Sequence, residues 1–294
     1  ARKHVDELHT FSVGVQGSPD LQSARAAARH LRTIHHEYIL TPEEVFAELP
    51  NIVYYLESFD QDLVRSAIPT YLISRLASQE VKVVLTGEGA DELFAGYRYH
   101  REDFRDPASL HRELWRSVSN LHNINLQRVD RMTMAHSLEG RVPFLDLDTI
   151  ELAQTIPPEL KLHSRQGRVI EKWILRKACE DLLPVENVWR EKEQFDEGSG
   201  TIDLVAEKLE NWMTPAEFER YARAYSEAGL CSLEEGVYHK WLCERYPDPS
   251  LVLDNVARWS ERPEVKPLED AVSMSDVEKL DADPLSKSLR TTND

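Results

Sequence analysis

Three carboxylates, Glu88, Asp91 and Glu92, follow directly on Thr86-Gly87, with Gly89 between them. Acids this close repel one another unless a metal ion or a cationic group compensates their charge. Mg²⁺ is hard, prefers oxygen and usually takes one or two carboxylates together with phosphates, so Asp91 is a candidate metal ligand. The exposed amides and hydroxyl of Thr86 and Gly87 suit a ribose or phosphate contact. Glu92 reads equally well as a supporting group and as a charge at a helix N-terminus. Further along, Arg141-Val142-Pro143-Phe144-Leu145-Asp146 joins a bidentate cation to an acid through a stiff proline. That corner suits a site wall, with Arg141 and Asp146 facing substrate, and equally a structural ion pair.

The acids need a scaffold, and the preceding residues supply one. Val83-Val84-Leu85 is an apolar, β-branched run that predicts a fully buried strand. Glycines at 87 and 89 let the backbone turn and approach a ligand, and in open α/β sheets ligands bind at this strand end. Upstream, residues 9–15 alternate polar and apolar and predict a strand, and residues 36–40 predict another. An alanine-rich helix from Asp20 lies between them. Thr41-Pro42-Glu43-Glu44 opens a second helix, and a third covers about 67–78. The order strand–helix–strand–helix–strand predicts a parallel α/β layer with right-handed crossovers. From Arg98 the pattern turns helical, over 110–126, 148–155, 169–183, 202–209, 215–229 and 233–246. This divides the chain into an α/β part (1–97), a helical part (98–262) and a polar tail (263–294) expected to be poorly ordered.

The block Thr86-Gly87-Glu88-Gly89-Ala90-Asp91-Glu92-Leu93-Phe94-Ala95-Gly96-Tyr97 resembles the (S/T)GEGxDE–GGY block of asparagine synthetases, in their ATP-dependent synthetase domain. Residues 130–146, from Asp130-Arg131 to Arg141-Val142-Pro143-Phe144-Leu145-Asp146, resemble the same family's second signature. Trp189-Arg190-Glu191-Lys192-Glu193-Gln194-Phe195 resembles its third. The motifs fall in the family's order over most of the chain. The resemblance implies a parallel sheet of the adenine-nucleotide α-hydrolase (PP-loop) type, here partial, with a large helical C-terminal extension.

The resemblance also implies an activity. ATP and Mg²⁺ activate the side-chain carboxylate of aspartate as β-aspartyl-AMP, releasing pyrophosphate. Glutamine-derived ammonia then gives asparagine and AMP. Carried over residue by residue, the resemblance makes Glu88 and Lys192 catalytic. Glu88 serves the acyl-adenylate, where a carboxylate can accept protons from the incoming amine. Lys192 neutralises pyrophosphate, a role for a fixed cation in a dry site. Thr86 and Gly87 line the ATP site, Val13 contacts adenine through its backbone, Gly14 leaves room for the ring, and Arg190 assists Lys192. Read without the family, Val13-Gly14 is a plain strand end and Lys192 a lysine in a charged loop.

Two family elements are missing from these residues. No Ser-Gly-Gly-x-Asp-Ser phosphate loop occurs, nor a glutaminase domain with its N-terminal cysteine, which is expected upstream. A partial chain explains this. The competing reading is a non-catalytic or partner-completed binding subunit, and an amidotransferase acting on another carboxylate is a third. A homodimer is compatible with each.

The 294 residues suffice for a sizeable core, and 41% hydrophobic with 30% charged residues is a globular composition. A net charge of −17 argues against nucleic acid or an anionic membrane as the main partner. No apolar run approaches the roughly 20 residues that span a bilayer. Cys179, Cys231 and Cys243 have neither disulfide nor zinc spacing, which favours a cytoplasmic setting. His35-His36 has no complementary spacing for zinc and is expected to pack rather than to ligate.

Overall fold

A computed structural model describes residues 1–104, 106–165, 168–190, 198–199, 205 and 211–258. Strand β1 (His9–Gly14) leads through α1 (Pro19–Leu31) to β2 (Ile34–Ile39). Helices α2 (Pro42–Leu56) and α3 (Gln61–Ala77) precede β3 (Val83–Leu85). Then come α4 (Ala90–Phe94), α5 (Arg98–Asp103), α6 (Pro107–Ser119) and α7 (Asn125–Met134). Strand β4 (Glu139–Arg141) is followed by α8 (Leu147–Thr155) and α9 (Pro158–Lys161). A hairpin of β5 (His163–Arg165) and β6 (Arg168–Ile170) precedes α10 (Trp173–Ala178) and α11 (Val185–Val188). Further on lie α12 (Pro215–Ala224), α13 (Leu233–Arg245) and α14 (Ser250–Leu253).

The helix starts follow local chemistry. Asp60 caps α3 by accepting from the Leu63 amide at 2.8 Å, and Pro19 and Pro42 sit in first turns, where no intrahelical donor is lost. Val45, Leu49, Ile52, Val53 and Leu56 recur at helical spacing along α2 and are fully buried. They meet Val64, Ile68 and Leu72 of α3 and Val237, Tyr238 and Leu242 of α13 in the main core. Each such side chain contributes about 1.5–3 kcal/mol by leaving water. A buried pair, Arg65 with Glu234 at 2.5 Å, ties α3 to α13.

The strands show the parallel pairing expected from the sequence, in two separate pairs rather than one continuous sheet among the described residues. Among the described residues β1 pairs with β2 and β3 with β4, each in parallel, and no ladder joins the two pairs. Nor is β3 fully buried: Val83 is 37% and Leu85 57% exposed, and Val83, Val84 and Leu85 line a cavity. His9, Thr10 and Phe11 of β1 line the same cavity. The α/β and helical parts on either side of 97/98 are in contact, since β4 pairs back to β3 and α7 packs on α3. The helix expected over 169–183 is also revised. Val169 and Ile170, β-branched, pair with Ser164 and His163, and the helix starts only at Trp173. The helix expected over 110–126 ends at Ser119 and restarts as α7 at Asn125. The 202–209 helix and the 263–294 tail lie outside the described residues.

One buried group is costly. Lys161, at the end of α9, is 0% exposed and its Nζ has no hydrogen-bond partner. Burial pushes its pKa down from 10.5 to about 8. Below pH 8 the lysine is charged in both states, and folding carries the whole penalty. Between about 8 and 10.5 the folded protein has released the proton while the unfolded chain keeps it, so stability rises with pH. The window corresponds to about 3 kcal/mol. Lys161→Met is therefore expected to stabilise the protein by about 2–3 kcal/mol at pH 7. It should also flatten the rise on going to pH 9.5. Urea denaturation at both pH values checks this, and an unchanged midpoint in the variant contradicts it.

Candidate active site

The site is built where β3 ends. The Thr86 amide still donates to the Arg141 carbonyl of β4 at 2.9 Å, and the chain then turns through Gly87 and Glu88. Gly89 adopts φ +91°, and a Cβ there would lie 2.4 Å from a Leu145 methyl, so glycine alone fits this bend. The short helix α4 follows, anchored by Leu93 and Phe94 against Ala153 and Phe144. Gly96 has a different reason. A Cβ on it would fall 1.8 Å from the Asp91 carboxylate, which lies across the glycine. Beside it Ala95 takes a left-handed φ of 58°, at the position where the family pattern has its first glycine of GGY.

Each of the three acids is neutralised in its own way. Glu88 pairs with the Arg128 guanidinium, which reaches it from the buried side of α7. Asp91 accepts from the Lys172 ammonium at 3.0 Å. Glu92, only 2% exposed, accepts from the Tyr97 hydroxyl at 2.5 Å and from the Asn125 amide at 2.8 Å. Burial, then the neighbouring charge of Asp91, pushes the Glu92 carboxyl up to about 7. The charge argument from sequence is thereby refined: Arg128 and Lys172 compensate Glu88 and Asp91, while Glu92 is held by neutral hydrogen-bond donors.

Glu88, Asp91, Thr86, Gly87 and Arg128 line one cavity of about 820 Å³, together with Tyr97, Asn125 and the apolar strand residues. This lies within the roughly 300–1,000 Å³ usual for small-molecule sites. Thr86 adds a buried hydroxyl with no hydrogen-bond partner, a polar group at the cavity wall.

Other candidates are placed elsewhere. Val13 is buried in the main core and Gly14 packs against Ser18, whose Oγ would be 2.3 Å from a Cβ. Neither lines the cavity. Arg141 turns its side chain outward to Glu139 at 2.7 Å, and Asp146 caps α8 through the Asp148 amide at 3.1 Å. Neither residue lines the cavity. Arg190 binds Asp20 at 2.6 Å, joining the start of α1. Lys192 lies outside the described residues.

Arg128, Lys172, Tyr97 and Asn125 were missed by sequence reasoning. A signal existed for the pair on α7. Asn125, Arg128, Val129 and Met132 recur at the spacing of one helix face, which marks Asn125 and Arg128 as buried polar groups in need of partners. Arg131, which opens the second signature beside them, pairs with Glu57 at 2.5 Å.

Comparison with known proteins decides the family. The asparagine synthase family model matches residues 1–109 and 101–230. The chain belongs to the asparagine synthase family. A probable asparagine synthetase (glutamine-hydrolyzing) of Schizosaccharomyces pombe is 40% identical over 269 residues, covering 86% of this chain and 46% of that protein. The asparagine synthetase (glutamine-hydrolyzing) of Triphysaria versicolor is 37% identical over 255 residues, covering 84% and 43%. Asparagine synthetase (glutamine-hydrolyzing) 1 of Saccharomyces cerevisiae is 37% identical over 266 residues, covering 86% and 46%. The chain thus spans about half the length of the family members it matches. Among the described residues no helix is long and apolar enough to cross a membrane.

Proposed function

We propose that this chain is part of a glutamine-hydrolysing asparagine synthetase and carries the acidic end of its ATP site. ATP activates the aspartate side chain as an acyl adenylate, and ammonia from a glutaminase domain elsewhere in the longer polypeptide displaces AMP. The observation that carries this reading is that Glu88, its partner Arg128 and Asp91 line one cavity at the end of β3, with Lys172 paired to Asp91. Thr86 and Gly87 face the nucleotide there, and Glu88 accepts a proton as the amine adds to the acyl carbon. Lys192 and Arg190 serve pyrophosphate, while Val13 and Gly14 approach adenine through the backbone. Arg141 and Asp146 act from behind, as scaffold. Magnesium, when bound, supplies neutralisation of phosphate charge. Asp91 fits it, being one carboxylate at the cavity wall, with phosphate oxygens as the usual remaining partners.

The fold reading follows from the same cavity. His9, Thr10 and Phe11 of β1 and Val83, Val84 and Leu85 of β3 line it together, which supports reading the two parallel pairs as the flanks of one PP-loop-type sheet. A further strand of the longer polypeptide, ending in the phosphate loop that the family carries, completes it along Val83–Leu85. A cytoplasmic setting accords with the three free cysteines.

The test is pyrophosphate exchange. The longer polypeptide containing this chain is expected to exchange radiolabelled pyrophosphate into ATP only when aspartate is present, and to make asparagine from ammonia or glutamine. Exchange with another carboxylate in place of aspartate reassigns the substrate. A folded longer polypeptide with no exchange at all overturns the enzyme reading in favour of a binding subunit.

A further inference from the structure

His35-His36, set aside on sequence spacing, takes on a different meaning once β2 is paired. In the parallel register Phe11 lies opposite His36, so His9, two residues earlier on β1, shares its face with both. The His9 and His36 rings stack at 5.1 Å and 10°, with Phe11 5.0 Å from His36. Nδ1 of His9 and Nε2 of His36 stand 3.0 Å apart. Glu80, just past the end of α3, brings a carboxylate oxygen to the same place, and the three ligand atoms all lie within 4.8 Å of one another. His35 takes no part, its ring being engaged on the other face by Thr10 and Ser12.

We propose that His9, His36 and Glu80 bind a divalent transition metal ion of the zinc type. Two imidazoles and one carboxylate are a recognised zinc set, with the fourth position left to water. Zinc–nitrogen bonds of about 2.0–2.1 Å at a tetrahedral angle place two imidazole nitrogens about 3.3 Å apart. The observed 3.0 Å needs to open by only a few tenths of an ångström. A hydrogen bond between the two rings accounts for the nitrogen contact but gives the carboxylate no part. Imidazole donors select zinc, nickel or copper over magnesium, so this site does not compete for the nucleotide's cation. None of Glu88, Asp91 or Glu92 contributes to it. The ion joins β1, β2 and the end of α3, three segments far apart in sequence.

The test uses the full chain after chelator treatment. Calorimetric titration with Zn²⁺ and visible spectroscopy with Co²⁺ are expected to show one site, micromolar or tighter, with a tetrahedral cobalt spectrum and a melting temperature several degrees higher on saturation. His36→Ala and Glu80→Gln each should weaken binding at least tenfold, while His122→Ala, at an exposed distant histidine, leaves it unchanged. Circular dichroism of the metal-free variants separates lost ligation from lost folding. Absence of one-to-one uptake, equal binding by properly folded His36→Ala, or equal competition by Mg²⁺ overturns the proposal and leaves a simple ring-to-ring hydrogen bond.

Discussion

Replacing Arg128 with methionine is expected to destabilise the protein by about 3 kcal/mol, toward the lower end of what breaking a buried ion pair costs. The reasoning turns on what remains behind. Methionine fills much of the volume under α7, so little packing is lost, but Glu88 then faces Asp91 and Glu92 without its cation. Water reaching the cavity relieves part of the penalty, because Glu88 itself is only partly buried. The double variant Arg128→Met with Glu88→Gln removes the charge together with its partner and should recover most of the loss. Urea denaturation of the four proteins forms a closed cycle. A coupling near zero between the two positions contradicts the pairing as the source of stability, and recovery in the double variant excludes packing as its source.

In the longer polypeptide, Glu88→Gln is expected to lower asparagine formation by about 10²–10⁴-fold, the range for removing a positioned general base. Glutamine keeps the shape and can still accept from Arg128, so the fold and nucleotide binding should survive. The loss therefore belongs in kcat rather than in the KM for ATP. Turnover within a factor of a few of the unmodified protein contradicts the assignment. A parallel rise in the KM for ATP with unchanged kcat makes Glu88 a binding group instead.

How much of this was legible in the sequence depends on distance along the chain. The block from Thr86 to Tyr97 was readable because glycine, acid and strand signals act within a few residues of one another. Its need for compensation was also readable, since like charges repel wherever the chain goes. The source of that compensation was not. Arg128 and Lys172 arrive from 40 and 81 positions away, and no local pattern announces such a partner. Strand β4 was missed for the same reason. Glu139-Gly140-Arg141 has no strand periodicity, and its conformation is set by the backbone of β3. Val169 and Ile170 fit helical spacing ahead of Trp173, whereas their hairpin partners Ser164 and His163 lie before them. Gly96 was seen as part of a motif but without its physical reason, which exists only once Asp91 folds back over it.

Among the described residues no strand pairs with β3 on the side away from β4, and this has a practical corollary for anyone handling the protein. Backbone donors and acceptors beside half-exposed Val83 and largely exposed Leu85 form a ready template for a neighbouring molecule's chain. The opening that would admit a completing segment is thus also an adhesive seam. Precipitation at high concentration would report on that seam rather than on a weak interior, so shelf life and conformational stability need separate measurement.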